Sequence, residues 1–124
     1  MQKAIADPNR RTPPNRAGAR AFLWSRVTAV FLILLVPYAL YVLASVAGHD
    51  LATVRRGLAS PVNALALVAL IGIGVWHMWL GMREILEDYA RGATLRRLLT
   101  ANTLFCVAVA LVAGAAAAKL WLGV

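Results

Sequence analysis

Near the middle of the chain the stretch "VWHMWLGMREILEDYA", Val75 to Ala90, places one imidazole, His77, eleven residues before a carboxylate, Asp88, and twelve before a phenol, Tyr89. An imidazole can ligate a metal, relay a proton or hydrogen-bond a neighbouring helix. A phenol can donate to a carbonyl oxygen, and a carboxylate beside it can accept a proton or pass one on. At helical periodicity Gly74, His77, Gly81, Glu84 and Asp88 follow a three-four spacing and share one face. Glycine on each side of the imidazole leaves room there for a flat, bulky ligand, because no Cβ fills the space beside the ring.

The elements that must position these groups are membrane helices. The chain has 124 residues, 61% of them hydrophobic, with a mean hydropathy of +0.71. Three apolar stretches, about residues 22–47, 62–82 and 98–124, each reach the roughly 20 residues that a helix needs to cross a bilayer core of about 30 Å. A soluble chain of this length has too little other sequence to cover three such segments. The expected fold is therefore all-α, with residues 1–20 as a polar, Pro- and Arg-rich tail and residues 21–124 as a three-helix membrane domain. Ser60-Pro61 is a start signal for the second helix, and Gly92 is a stop signal beyond its end. Residues 49–59 read as a loop. Pro37 falls inside the first helix, where a membrane setting tolerates it. Ala110, Gly114 and Ala118 recur every fourth residue in the third helix and allow close approach of another helix. Cys106, the one cysteine, has no partner for a disulfide and reads as apolar filler.

A net charge of +8 would suit nucleic acid if the cations formed one patch with interleaved aromatics, but they cluster at the ends of the apolar runs instead. Ten of the thirteen, Lys3, Arg10, Arg11, Arg16, Arg20, Arg26, Arg83, Arg91, Arg96 and Arg97, belong to one side of the membrane. Arg55, Arg56 and Lys119 belong to the other. The positive-inside rule then places the N-terminus inside and the C-terminus outside. Trp24 and Trp121 fall at the two interfacial belts.

Depth sorts the candidates by chemistry. His77 precedes Arg83 by six residues, about 9 Å of helix, so it sits within the hydrocarbon, whereas Glu84, Glu87, Asp88 and Tyr89 reach the inner surface. Ionisable residues inside a bilayer are costly and mark function. Haem iron, a proton path and an interhelical hydrogen bond each account for His77, and for haem one ring nitrogen binds iron while the other donates a hydrogen bond. One histidine supplies one axial bond. His49 lies at the far end of the first helix, so a hexacoordinate haem would need its second histidine from another chain. In "WSRVTAV", Trp24 to Val30, Arg26 occupies the inner interfacial layer, where it either snorkels to lipid phosphate or offers its fork of donors to a propionate or a quinone. Glu84 and Glu87 are expected to pair with Arg83 or Arg91.

The pattern of His, Gly four residues on and Asp-Tyr eleven and twelve residues on, in "HMWLGMREILEDY", together with "WSRVTAV" and three helices, resembles the small hydrophobic membrane anchor subunit of succinate dehydrogenase, respiratory complex II. The resemblance implies half of a heterodimeric anchor bundle. It also implies that His77 gives one axial ligand to a b-type haem and that a companion haem-binding anchor subunit gives the other. Tyr89 would then bind ubiquinone beside the iron–sulfur subunit, with Asp88 on its proton supply and Arg26 near the propionates or the quinone pocket. FAD and iron–sulfur clusters would belong to the flavoprotein and iron–sulfur partners, since this chain has no dinucleotide fingerprint and too few cysteines for a cluster. The expected location is the bacterial inner membrane, ahead of the mitochondrial one. A fumarate reductase anchor, a non-redox membrane scaffold and, more remotely, a small transporter are the alternatives.

Overall fold

The computed structural model describes residues 16–123. They form four helices: α1 (Arg16–Val46), α2 (Leu51–Ala59), α3 (Pro61–Tyr89) and α4 (Gly92–Leu122). Three of them, Gly18–Val46, Pro61–Tyr89 and Gly92–Leu122, are long and apolar enough to cross a membrane. At 1.5 Å per residue the 29 residues of α3 span about 43 Å, more than a bilayer core, so its charged last turns emerge from the hydrocarbon. The three expected spans are thus present. α1 reaches back to Arg16, so residues 16–20, expected in the tail, are helical, while the rest of that tail lies outside the described residues.

α3 is the central element. α1 packs on one side of it and α4 on the other, and α1 and α4 do not meet among the described residues. The pairing of α1 with α3 is antiparallel, because partners advance on one helix as they recede on the other: Thr28 meets His77, Leu32 meets Gly74 and Tyr38 meets Asn63. The Arg-bearing ends, namely the start of α1, the end of α3 and the start of α4, therefore gather at one end of the bundle.

Residues 49–59 differ from expectation. Most of that segment is the helix α2, packed against all three long helices. Asp50 caps it, accepting hydrogen bonds from the Thr53 backbone N–H at 3.4 Å and from the Thr53 hydroxyl at 2.5 Å. The Thr53 hydroxyl, first among the causes, holds the Asp50 carboxyl below its ordinary range. Gly48, at φ 79°, supplies the left-handed residue that ends α1. Gly92 also takes a positive φ, 59°, but not as the stop of α3. Ala90 ends α3 in an extended conformation, its N–H bonded to the Leu86 carbonyl, and Gly92 opens α4. Ser60 and Pro61 mark the start of α3 as expected, although the Ser60 side chain makes no capping bond. α1 continues through Pro37.

Polar side chains fasten the apolar helices to one another. The Tyr38 hydroxyl donates to Asn63 Oδ1 at 2.7 Å, and Asn63 Nδ2 donates to the Gly57 carbonyl at 2.7 Å, tying α1, α3 and α2 together. On the other side of α3, Asn102 Nδ2 donates to the Trp79 carbonyl at 3.2 Å and the Trp79 indole donates to Thr103 at 3.1 Å. Cys106 is buried, as expected, with its thiol 3.7 Å from Asn102 Oδ1. The apolar core is small, comprising Ala39, Val42, Leu58, Leu80 and Cys106, whereas large side chains such as Ile33 and Leu34 are each 69% exposed. That outward apolar surface suits a solvent of lipid and partner helices. A Cβ on Gly114 would meet no packed neighbour within 4 Å, so among the described residues no other helix lies against that glycine of the α4 small-residue stripe.

Candidate functional site

His77 projects from α3 toward α1, where its Nδ1 lies 2.9 Å from the Thr28 hydroxyl oxygen. Thr28 is itself only 6% exposed. Its hydroxyl also stands 2.8 Å from the Trp24 carbonyl and 3.0 Å from the Ser25 carbonyl, one turn back on its own helix. The histidine ring is thereby held through one nitrogen, and Nε2 makes no hydrogen bond with the described residues. Sequence alone gave no sign of Thr28, since a contact between residues 49 apart depends on how two helices pair.

The space beside the ring is arranged differently from the helical-wheel expectation. A Cβ at Gly74 would lie 4.0 Å from Leu32 Cδ2, so α1 occupies that side. At Gly81 and at Gly72 it would meet nothing within 4 Å. Gly72 instead helps wall a groove of about 310 Å³ between α1 and α3, with Trp24, Thr28, Ile73 and Trp76. This apolar groove borders the residue that holds His77. A second groove, about 330 Å³, lies between α3 and α4 and shares Gly72 and Trp76. Of the two glycines expected to flank the histidine, Gly81 is open among the described residues and Gly74 faces Leu32 of α1.

The remaining candidates lie apart from His77 and make no hydrogen bond to it. Tyr89 is 89% exposed at the last position of α3, about 18 Å along the helix from His77, with Asp88 exposed beside it. Arg26 is exposed, with its guanidinium 5.0 Å from the Phe22 ring centroid, a cation–π contact near the start of α1. Two residues before Thr28, it is about 200° away on the helix and turned from the His77 contact. Arg83 pairs with Glu87 at 2.7 Å and stands 5.6 Å over the Trp79 ring, in keeping with the pairing expected of Glu87. Arg91 donates to the Glu87 carbonyl rather than to its carboxylate. Glu84 forms no ion pair among the described residues.

Among the described residues no three of His, Cys, Asp or Glu gather to hold a bare ion. Iron in a porphyrin has different needs, because the macrocycle fills four positions and the protein supplies only axial donors. His77 fits that role in chemistry and setting: a half-buried imidazole fixed through Nδ1, with open space at Gly81 on its face.

Fold and site together define a protein with three helices able to span a membrane, whose central helix carries one anchored histidine and ends on an exposed tyrosine. The sequence matches the succinate dehydrogenase/fumarate reductase transmembrane subunit family over residues 7–117, and the chain belongs to that family. It is 32% identical over 92 residues to the succinate dehydrogenase hydrophobic membrane anchor subunit of Rickettsia felis, covering 73% of this chain and 77% of that protein. The subunit of the same name in Rickettsia typhi is 29% identical over 106 residues, 85% of each chain. That of Rickettsia prowazekii is 30% identical over 94 residues, 75% of each. No solved structure matches at comparable significance. The chain is thus a multi-pass membrane anchor subunit of the succinate dehydrogenase/fumarate reductase family.

Proposed function

We propose that this subunit is one half of the heterodimeric anchor of a bacterial succinate:quinone oxidoreductase in the inner membrane, where it shares a b-type haem with the companion anchor subunit and helps form the quinone-reduction site. The observation that carries the proposal is His77, held by one nitrogen to α1 and with no hydrogen bond from the described residues at the other. His77 would hold the haem iron, with Nε2 as the nitrogen left available by the Thr28 bond, and the companion chain would supply a second ligand. Haem, when bound, supplies a one-electron store within the bilayer. The protein's own part is to exclude water from the imidazole, fix its plane through Thr28 and keep the Gly81 side clear of side chains.

Tyr89 and Asp88 serve quinone at the inner surface. Reduction of a quinone to a quinol takes two electrons and two protons; the electrons come from the iron–sulfur subunit, fed by the flavoprotein. The phenolic hydroxyl of Tyr89 donates to a quinone carbonyl and orients it, and the Asp88 carboxylate passes protons from the cytoplasmic side. Arg26, in the same layer, offers cationic donors to a haem propionate or to the quinone. The arginines gathered at this end among the described residues, Arg16, Arg20, Arg26, Arg83, Arg91, Arg96 and Arg97, support its placement on the inside.

A second reading has one specific observation in its favour. The Thr28–His77 bond alone satisfies one polar nitrogen across two helices, which is what a non-redox scaffold would need. The reduced-minus-oxidised spectrum of the purified complex separates the two. His77→Ala should abolish or shift the b-type band, and an unchanged band and potential would leave the scaffold standing. Tyr89→Phe should lower quinone reduction by about 10²-fold or more, the usual scale for a positioned acid–base group, while succinate oxidation by an artificial acceptor persists. Normal quinone turnover in that variant would remove Tyr89 from the site. Net turnover toward succinate in the same assay would identify a fumarate reductase anchor.

A further inference from the structure

We propose that Thr28 is a positioning residue for the haem: its hydroxyl locks His77 in the tautomer that leaves Nε2 bare, and it sets how strongly the ring donates electrons to iron. This rests on the haem proposal above and extends it to a side chain on a different helix.

The argument turns on a single proton. A threonine hydroxyl has one hydrogen to give and two lone pairs to receive with. Around Thr28 Oγ1 stand the Trp24 carbonyl at 2.8 Å, the Ser25 carbonyl at 3.0 Å and His77 Nδ1 at 2.9 Å. The two carbonyls are acceptors only, so of these three groups only Nδ1 can donate to the hydroxyl. In one arrangement the hydroxyl donates back to its own helix and accepts from Nδ1–H, making two bonds. In the other it donates to Nδ1, and the ring proton must then sit on Nε2, where the described residues offer it no partner. Threonines within helices ordinarily bond the carbonyl four residues back, and an unpaired N–H at hydrocarbon depth is penalised heavily. The first arrangement therefore prevails. At 6% exposure no water competes for the hydroxyl.

Two consequences follow for iron. Nε2 presents a lone pair without any prior loss of a proton, so the ligand is ready before haem arrives. The Nδ1–H bond to an oxygen whose own proton is drawn toward a helix carbonyl makes the ring a stronger donor, which favours the oxidised iron.

The test uses the assembled membrane complex. Thr28→Val keeps the branched shape and deletes the hydroxyl, Thr28→Ala deletes it without any risk of overpacking, and Thr28→Ser keeps it. Haem content per flavin and the haem midpoint potential are measured, and activity with an artificial acceptor confirms assembly. Loss of a hydrogen bond behind a metal-bound histidine typically weakens the ligand about tenfold or more. A tenfold preferential weakening toward ferric haem raises the potential by about 59 mV for one electron. Thr28→Val and Thr28→Ala should both show that rise or a matching loss of haem, and Thr28→Ser should stay near the unmodified complex. Unchanged content and potential in both hydroxyl-free variants overturn the proposal, as does a serine variant that shifts as far as they do. His77→Ala in parallel keeps the two proposals distinguishable: haem lost or shifted there but undisturbed by Thr28→Val and Thr28→Ala refutes the role of Thr28 alone, whereas haem retained there with an unchanged band and potential refutes both.

Discussion

Tyr38→Phe, Asn63→Leu and the two combined measure how firmly α1 is fastened to α3, the helix pair that also carries the Thr28–His77 contact. The Tyr38 hydroxyl meets Asn63 Oδ1 at 2.7 Å, at the favoured O–H···O distance, and Asn63 spends its amide hydrogen on the Gly57 carbonyl at 2.7 Å. Interhelical hydrogen bonds in membranes average about 0.6 kcal/mol and reach about 1.7 kcal/mol. Optimal length and partial burial put the Tyr38–Asn63 bond between these, at about 1 kcal/mol. Tyr38→Phe should therefore cost about 1 kcal/mol. Asn63→Leu, which removes this bond and the one to α2, should cost about 2 kcal/mol. The double variant should cost little more than Asn63→Leu alone, because the bond that Tyr38→Phe deletes is already gone, which leaves a coupling of about 1 kcal/mol. Equilibrium unfolding in mixed micelles titrated with SDS and followed by the emission of the four tryptophans provides the numbers. Additivity within about 0.3 kcal/mol, the scatter expected of independent sites, would refute the contact and with it the register that pairs α1 with α3.

Other perturbations probe the site and the caps. Gly81→Leu places a side chain where a Cβ would meet no packed neighbour within 4 Å among the described residues, so stability of the subunit should change by no more than about 0.5 kcal/mol while haem content of the assembled complex falls; normal haem loading would show that nothing occupies that space. The cap of α2 should respond to acid. Because hydrogen bonding holds the Asp50 carboxyl below its ordinary value, its stabilising effect is complete above the unfolded-state pKa and is lost as pH falls through the lower folded-state value. Protection of the Thr53 amide against hydrogen exchange, relative to the unstructured rate at each pH, should fall over that acid range in the unmodified chain and not in Asp50→Asn, and a flat profile in both would remove the carboxylate from the cap.

How far the sequence discloses the molecule depends on whether a feature is local. The three spans follow from hydropathy and length, quantities that one segment carries by itself. α2 escapes because nine residues with Arg55 and Arg56 make too short and too polar a pattern for periodicity to register. Its signal is still present in Asp50, a cap residue with Thr53 three positions on. Gly92 reads as a stop yet opens α4, since a positive-φ glycine serves equally to end one helix or to begin the next. Thr28 lies inside a motif that stands out for Arg26, yet only the antiparallel register brings it to His77. The same register covers Gly74 with Leu32 and leaves Gly72 open, which no wheel drawn for α3 alone can show. Tyr38, Asn63 and Asn102 are visible as polar residues in apolar runs, and their bonds to other helices are the usual reason for such residues to be there.

A density map of the complete complex, with its companion subunits and native cofactors, puts the central claim to its most direct test. The account predicts His77 Nε2 bonded to haem iron, a second axial ligand from the companion anchor, and Nδ1 still within hydrogen-bonding distance of the Thr28 hydroxyl. A map in which that nitrogen faces only lipid or a neighbouring side chain, with iron ligated elsewhere or missing from a haem-replete preparation, would contradict it.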